Sequence, residues 1–477
     1  MPHLKNLYEK KEKEPILIEQ LHIFEACTDG FSIGKHEGIA VFVPYVIPGD
    51  VVDVWAYKKK KNYYKTRGIA AFRQYSADRV TPKCEHFGLC GGCKWQNMNY
   101  QTQLHYKQKQ VIDNFQRIGK FDFPRVNDIL PADAIFAYRN KVEYTFSNRR
   151  WLQAEEMFDF DAGVLNTNGL GFHLPEMFDK ILDIHHCDLH CELGNEIRNV
   201  IKEYAITHQL PFWNARSQTG LLRNLIIRTS ECGDMMIILV LTYFTSDAER
   251  LLSFIKEKFP QITSILYIEN TKQNDSVADL PVKIYSGKDF LQEKMGNLTF
   301  KVAPLAFYQT NSAQALKLYE QTARLADIKE HQTVYDLYTG AGTIALFIAK
   351  KAKKVIGIEC VDSAIESAVE NAKLNNILNT RFFAGDMVKI LTDEFIAKLG
   401  KPDIIITDPP RSGMHPKVIE QLLKIMPERI VYVSCNPATQ ARDIAMLASQ
   451  YAVKEVQPVD MFPHTHHVEN IALLEKT

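Results

Sequence analysis

Apolar and polar positions give the first outline of the chain. Up to about residue 76 the apolar residues fall in short runs, "ILIEQLHIFEA", "GIAVFVPYV", "DVVDVWAY" and "RGIAAFRQY", parted by glycine, proline and aspartate turns. Four or five short strands in so small a region predict a β-barrel. From Ala77 to Phe300 the periods mix. "NLIIRTS", "DMMIILVLTYF" and "SILYIEN" read as strands, whereas "DAERLLSFIKEKF" repeats its apolar residues at helical spacing. From Lys301 strand and helix alternate: "TVYDLY", helix, "KVIGIE", helix, "TRFFAGD", "DIIITDPP", helix, "RIVYVSC", helix, "IALLEK". That alternation predicts a parallel sheet with helices on both faces. The expected organisation is a charged tail (1–13), a barrel (14–76), an α+β central region (77–300) and an α/β domain (301–477).

Composition narrows the class. The length of 477 residues suits about three domains. No run of eighteen apolar residues occurs, so no membrane span is expected. "MPHLKNLYEKKEKEPI" lacks an apolar stretch, which disfavours a secretory signal and predicts a cytoplasmic protein. The nine cysteines then read as thiols rather than a disulfide framework. Lys and Arg number 57 against 57 acids, so net charge argues against indiscriminate nucleic-acid binding and directs attention to local patches. One runs from Trp55 to Ser76: seven Lys or Arg, no acid, and Tyr57, Tyr63, Tyr64 and Phe72 between them. Positive charge with aromatic faces suits a surface that tracks nucleic acid. The alternative is a hairpin tip, "KKKKNYYK", kept soluble by its lysines.

Candidate chemistry lies in the last third. "VYDLYTGAGT" puts Asp336 near a strand end with Gly340 and Gly342 in the turn; "VIGIE" ends in Glu359; "FFAGD" puts Asp386 at a third tip. Acids at three successive tips resemble the S-adenosylmethionine pocket of class I methyltransferases, and G-A-G is not the G-x-G-x-x-G of a dinucleotide site. "DPPRSG" sets Asp408 on a rigid rim and places Arg411 where nitrogen-methylating enzymes carry an aromatic, which disfavours nitrogen as the target. "VYVSCNPAT" delivers Cys435 at a strand end before Pro437 stops the strand. A small hydrophobe capping a strand is the plainer reading of that cysteine. Methylation of a pyrimidine carbon gives it a use: a thiolate adding to C6 makes C5 nucleophilic, and a carboxylate must later remove the C5 proton. Cys435 and Glu469, in "HHVENIALL", are the candidates.

"FYQTN", "YDLYTGAGT", "VIGIE", "DPPRSG", "VYVSCNPAT" and "HHVENIALL" together resemble the RNA uridine-C5 methyltransferase family. The resemblance implies a Rossmann-like methyltransferase domain and donor contacts at Gln309, Tyr338, Glu359 and Asp408, with Asp386 at the third tip. It also implies Cys435 as nucleophile and Glu469 as C5 base. Close relatives read "DLFCG" where Tyr338 and Thr339 stand here. His464, His466 and His467 lack an acid or cysteine partner in sequence and read as structural or RNA-facing.

"CEHFGLCGGC" spaces Cys84, Cys90 and Cys93 as metal ligands, and "HHCDLHC" offers Cys187 or Cys191 as a fourth. Spacing leaves zinc and iron–sulfur open. The resemblance implies a [4Fe-4S] cluster with Cys187, through the "I-x-x-C" segment Ile184 to Cys187. "GFSIGKHEGIAVFVPYVIPGDVV" resembles the TRAM domain, an OB-like RNA-binding barrel. Barrel, cluster and methyltransferase domain together imply the branch acting on a flipped uridine of 23S rRNA, as a monomer with no obligatory protein partner. A transfer-RNA substrate is the alternative, and a catalytically silent ribosome-assembly factor is the alternative of another class.

Overall fold

The computed structural model describes residues 15–59, 62–153, 156, 165–175 and 177–477. The tail, 1–13, and the side chains of Lys58 to Lys61 lie outside the described part. The chain forms two compact units. One comprises residues up to 88, 92–110 and 464–466; the other comprises 89–91, 111–463 and 467–477.

In the first unit, β1 (Ile16–Ala26), β2 (Phe31–His36), β3 (Ile39–Pro44), β4 (Val51–Lys59) and β5 (Tyr63–Gln74) close a barrel in the order β1-β2-β3-β5-β4. Closure comes from a parallel pairing of β3 with β5 and an antiparallel pairing of β1 with β4. It leaves no unpaired edge. Alternate residues fill the interior, among them Ile18, Leu21, Val41, Val43, Val52, Val54, Ala56 and Tyr64. Tyr64 is therefore a core residue rather than part of the RNA-facing aromatic set read from the sequence.

The second unit contains two seven-stranded sheets. The central one has the order β12-β11-β10-β9-β6-β7-β8. Its strands are β6 (Lys141–Ser147), β7 (Gly169–His173), β8 (Ile181–Asp183), β9 (Leu222–Thr229), β10 (Met235–Leu241), β11 (Ser264–Glu269) and β12 (Val282–Gly287). The unbroken apolar run of β10 follows from cover on both faces. Ile237, Leu239 and Leu241 pack with residues of helices Glu192–Thr207 and Ser246–Lys258. Met236, Ile238 and Val240 join a second core, shared with the hairpin β13 (Leu291–Met295) and β14 (Leu298–Val302) and with the C-terminal sheet.

The C-terminal sheet comprises β15 (Thr333–Leu337), β16 (Lys354–Glu359), β17 (Thr380–Ala384), β18 (Ile404–Thr407), β19 (Arg429–Ser434), β20 (Tyr451–Val459) and β21 (Glu469–Lys476). Their order is β17-β16-β15-β18-β19-β21-β20, with β15 to β19 parallel as expected. The sheet is not wholly parallel, because β21 enters antiparallel between β19 and β20. Strand β20 has no counterpart in the sequence reading. Its register shifts between Val453 and Glu455, which breaks the alternation that marks a strand.

Candidate functional site

Strand order reverses beside β15, and an open α/β sheet binds ligands at such a switch point, beyond the carboxyl ends of its strands. Register then places the expected residues in one row. Leu337 lies level with Ile358 and with Thr407, so Tyr338, Glu359 and Asp408 sit at adjacent tips. Glu359 is level with Ala384, and Asp386 follows two residues on. Thr407 is level with Tyr432. Ser434 pairs with Asn470, so Cys435, leaving β19, lies across from Glu469, the first residue of β21. The antiparallel entry of β21 thus sets a carboxyl beside a thiol at the same end of the sheet.

The turn after β15 uses three left-handed residues, Tyr338 (φ 62°), Gly340 (φ 54°) and Gly342 (φ 79°). A Cβ on Gly342 would meet Ala368 at 2.9 Å, whereas one on Gly340 would meet nothing within 4 Å. Gly342 is thus required by packing and Gly340 by conformation, with open space beside it. A tyrosine at φ 62° is strain of the kind concentrated at ligand sites. Glu359 is oriented by backbone donors: Oε2 accepts from Gly340 N at 3.2 Å, and Oε1 from Cys360 N at 2.8 Å and Val361 N at 3.1 Å. Asp386 caps the short helix Met387–Ile390, accepting from Val388 N at 2.9 Å. Asp336 lies beneath the turn, fully buried, with Oδ2 accepting from Thr339 Oγ1 at 2.5 Å and Ala345 N at 3.1 Å. Its Oδ1 has no partner, and burial pushes its carboxyl up to about 7.

Gln309 is carried by the loop before helix Ser312–Ala326. Asn140 Nδ2 donates to Gln309 O at 3.0 Å and to Ser312 Oγ at 2.8 Å. Asn311 Nδ2 holds the helix start to Met461 O at 3.0 Å. The buried guanidinium of Arg228 donates to three carbonyls of the same loop, Ala303, Pro304 and Ala306. Neither Asn140 nor Arg228 could be read as a site support from sequence, since each reaches the loop across a long stretch of chain.

Beyond the donor row, Cys435 is half-buried and Glu469 is 5% exposed. Burial pushes the Cys435 thiol up to about 12, helped by the charges of Glu469 and Asp408, while Arg411 opposes the shift. Burial, then the charge of Asp408, also holds the Glu469 carboxyl well above the usual carboxylate range, again against Arg411. Asp408 is raised in the same direction by burial and by Asp336. The Cys435 thiol in this setting ionises less readily than an ordinary exposed one. Arg411 is the cation beside both groups. Its loop is tied down through Arg411 O, which accepts from Asn436 Nδ2 at 2.9 Å and Thr439 Oγ1 at 3.2 Å. Behind it, Asp443 Oδ2 accepts from Met414 N and Tyr432 Oη, both at 2.7 Å. Gln440, on the helix Pro437–Leu447, donates to Tyr432 O of β19 at 2.8 Å and to Asn470 O of β21 at 3.2 Å and accepts from Asn470 Nδ2 at 2.7 Å, which ties together the two strands that oppose Cys435 to Glu469.

Of the histidines, His464 is buried in the first unit, where its backbone N–H donates to Gln103 Oε1 at 2.9 Å. Cys84, Cys90, Cys93 and Cys187 are each half-buried.

A row of acids at the switch point, with a thiol and a buried carboxyl beyond it, defines a Rossmann-like methyltransferase domain of the class I type. A family model described as tRNA (Uracil-5-)-methyltransferase matches residues 280–477. An "Uncharacterized RNA methyltransferase" of Bacteroides thetaiotaomicron is 52% identical over 452 residues, 94% of this chain and 99% of its own. Another, from Porphyromonas gingivalis, is 47% identical over 463 residues, 95% and 99% of the two chains. The chain belongs to the RNA (uracil-5-)methyltransferase family. Among solved structures it is similar to the Pyrococcus abyssi tRNA (uracil-54, C5)-methyltransferase in complex with S-adenosyl-L-homocysteine. That match has a TM-score of 0.74 and 28% identity, and it covers 95% of this chain and 100% of the other.

Proposed function

We propose that the protein transfers a methyl group from S-adenosylmethionine to C5 of a flipped uridine in 23S rRNA. The observation that carries the chemistry is the register that sets Cys435 of β19 across from Glu469 of β21. Gln309, Tyr338, Glu359, Asp386 and Asp408 hold the donor; the open space at Gly340 and the unpartnered Oδ1 of Asp336 are consistent with a polar ligand seated over that turn. The donor, when bound, supplies an electrophilic methyl group. Cys435 adds through sulfur to C6, its proton lost to solvent; the C5=C6 electron pair moves to C5 and takes up the methyl group, and the donor is released as S-adenosylhomocysteine. After methylation Glu469 takes the C5 proton, C5=C6 re-forms, and the sulfur leaves as thiolate. A carboxyl whose proton affinity is raised by burial is a better base for that step than an ordinary exposed one. Flipping the uridine costs a few kcal/mol, least in a loop.

The same reading gives a [4Fe-4S] cluster to Cys84, Cys90, Cys93 and Cys187. Around two of them, backbone amides of Leu189 and His190 donate to Cys187 against the upward push of burial, and Gln96 Nε2 lies 3.3 Å from Cys93 Sγ. The N-terminal barrel serves as the TRAM-like RNA-binding module. Support for 23S rRNA comes from these additions. A second reading, a transfer-RNA substrate, is favoured by the Pyrococcus abyssi enzyme, whose likeness extends over 95% of this chain. Incubating the protein with labelled donor and either 23S rRNA or bulk tRNA decides between them. Label mapped to one rRNA uridine is expected; label in tRNA alone replaces this substrate with the second.

A further inference from the structure

In the first unit, the barrel's outer wall carries aromatic residues. On β4 the side chains alternate, so Val52, Val54 and Ala56 fill the barrel while Trp55 and Tyr57 share the outer wall. Trp55 is 44% exposed, whereas Trp95 and Trp213 are buried and Trp151 is half-buried. Its cross-strand neighbours are Leu17 of β1, 42% exposed, and Gly68 of β5. A Cβ on Gly68 would meet nothing within 4 Å, so the indole is flanked by a flat, open step. Tyr57 pairs across β5 with Lys65.

The other aromatics of this basic stretch are engaged elsewhere. Tyr64 is in the core, and Tyr63 meets Phe42 edge-on at 5.6 Å. Phe72 stacks on Tyr75 at 4.9 Å and lies under the guanidinium of Arg79. The structure therefore separates two outward rings, Trp55 and Tyr57, from a set the sequence left undivided.

Residues two apart on a strand are about 7 Å apart. That is about twice the 3.4 Å repeat of a stacked strand, so the two rings suit bases of an extended, unstacked chain. From Trp55 to Ser76 there are seven cationic residues and no acid, which favours a polyanion over an apolar protein partner. We propose that the Trp55–Tyr57 face is a base-stacking platform for a single-stranded segment of the RNA substrate, distinct from the nucleotide that is methylated. The proposal rests on the RNA methyltransferase reading and adds to it where a second part of the RNA is held.

The test uses the full chain with Trp55→Ala and Trp55→Phe. Binding of a short fluorescein-labelled single-stranded RNA is measured by anisotropy, and quenching of the tryptophan emission by the unlabelled RNA is followed in parallel. Stacking predicts a loss of about 5- to 150-fold in affinity for Trp55→Ala and retention within a few-fold for Trp55→Phe. Wild-type emission should fall on binding, and the Trp55-dependent part of that change should vanish in Trp55→Phe. Unchanged affinity in Trp55→Ala overturns the proposal. So does equal dependence on Trp55 for duplex RNA, or a Trp55-dependent dimer in sedimentation, which would give the face to a second copy. Methylation of bulk RNA by the wild type is assayed separately. Its absence would refute the proposed function, whereas the Trp55 dependence of binding tests the platform alone.

Discussion

Asp336→Asn should flatten the pH dependence of stability in the catalytic unit. The carboxyl is fully buried, one oxygen has no partner, and burial lifts it from 3.8 to about 7. Between those values the native protein holds a proton that the unfolded chain releases. The sign follows: the contribution is most favourable at low pH and is lost as the pH rises toward 7. Each pH unit in that window is worth about 1.4 kcal/mol per proton, so from pH 5 to pH 8 the wild type should lose about 3 kcal/mol through this group. Asn keeps an oxygen for Thr339 Oγ1 and Ala345 N but cannot ionise. Urea unfolding at pH 5, 6, 7 and 8, read by tryptophan emission and far-UV circular dichroism, gives the comparison. The variant should gain on the wild type by about 3 kcal/mol across the range, whatever its offset at pH 5. Parallel curves, or a variant that loses ground as the pH rises, would refute the reasoning.

Asn140→Ala removes the donor to Gln309 O and Ser312 Oγ; it should cost about 1–3 kcal/mol of stability and weaken S-adenosylhomocysteine binding by calorimetry. Gly413→Ala forces a side chain at φ 77° to within 2.5 Å of Asp443 Oδ2. It should cost about 1–3 kcal/mol in thermal unfolding and slow methylation by displacing the Arg411 loop. Anaerobically purified protein should contain iron and sulfide with broad visible absorption, and Ser at Cys84, Cys90, Cys93 or Cys187 should remove both; stoichiometric zinc without iron would overturn that assignment.

The strand tips were legible because each ends a run of Val and Ile with an acid or a turn, a local signal. "DIIITDPP" and "VYVSCNP" announce both the strand and the place where it stops. The opposition of Cys435 and Glu469 was not legible as geometry. It depends on β21 passing between β19 and β20, and β20 itself is masked by Lys454, Glu455, Gln457 and Pro458 and by the register shift at Glu455. Arg411 was visible only as a departure from an aromatic motif; its place beside a thiol and a carboxyl emerges from the folded loops. The barrel was readable as strands, but inward and outward aromatics differ by one residue of register. Tyr64 and Tyr57 were indistinguishable until pairing fixed which faced the core.

The central claim, covalent activation by Cys435 with Glu469 as the C5 base, is tested most directly by mass spectrometry on a trapped adduct. Glu469→Gln is incubated with RNA and S-adenosylmethionine, denatured, and digested with nuclease and protease. Loss of one proton acceptor costs about 10²–10⁴ in rate, so elimination should be slow enough to trap the intermediate. The account predicts a methylated dihydrouridine attached to Cys435, and no adduct when Cys435→Ala is combined with it. Prompt release of methylated RNA by Glu469→Gln, or an adduct that persists without Cys435, would contradict it.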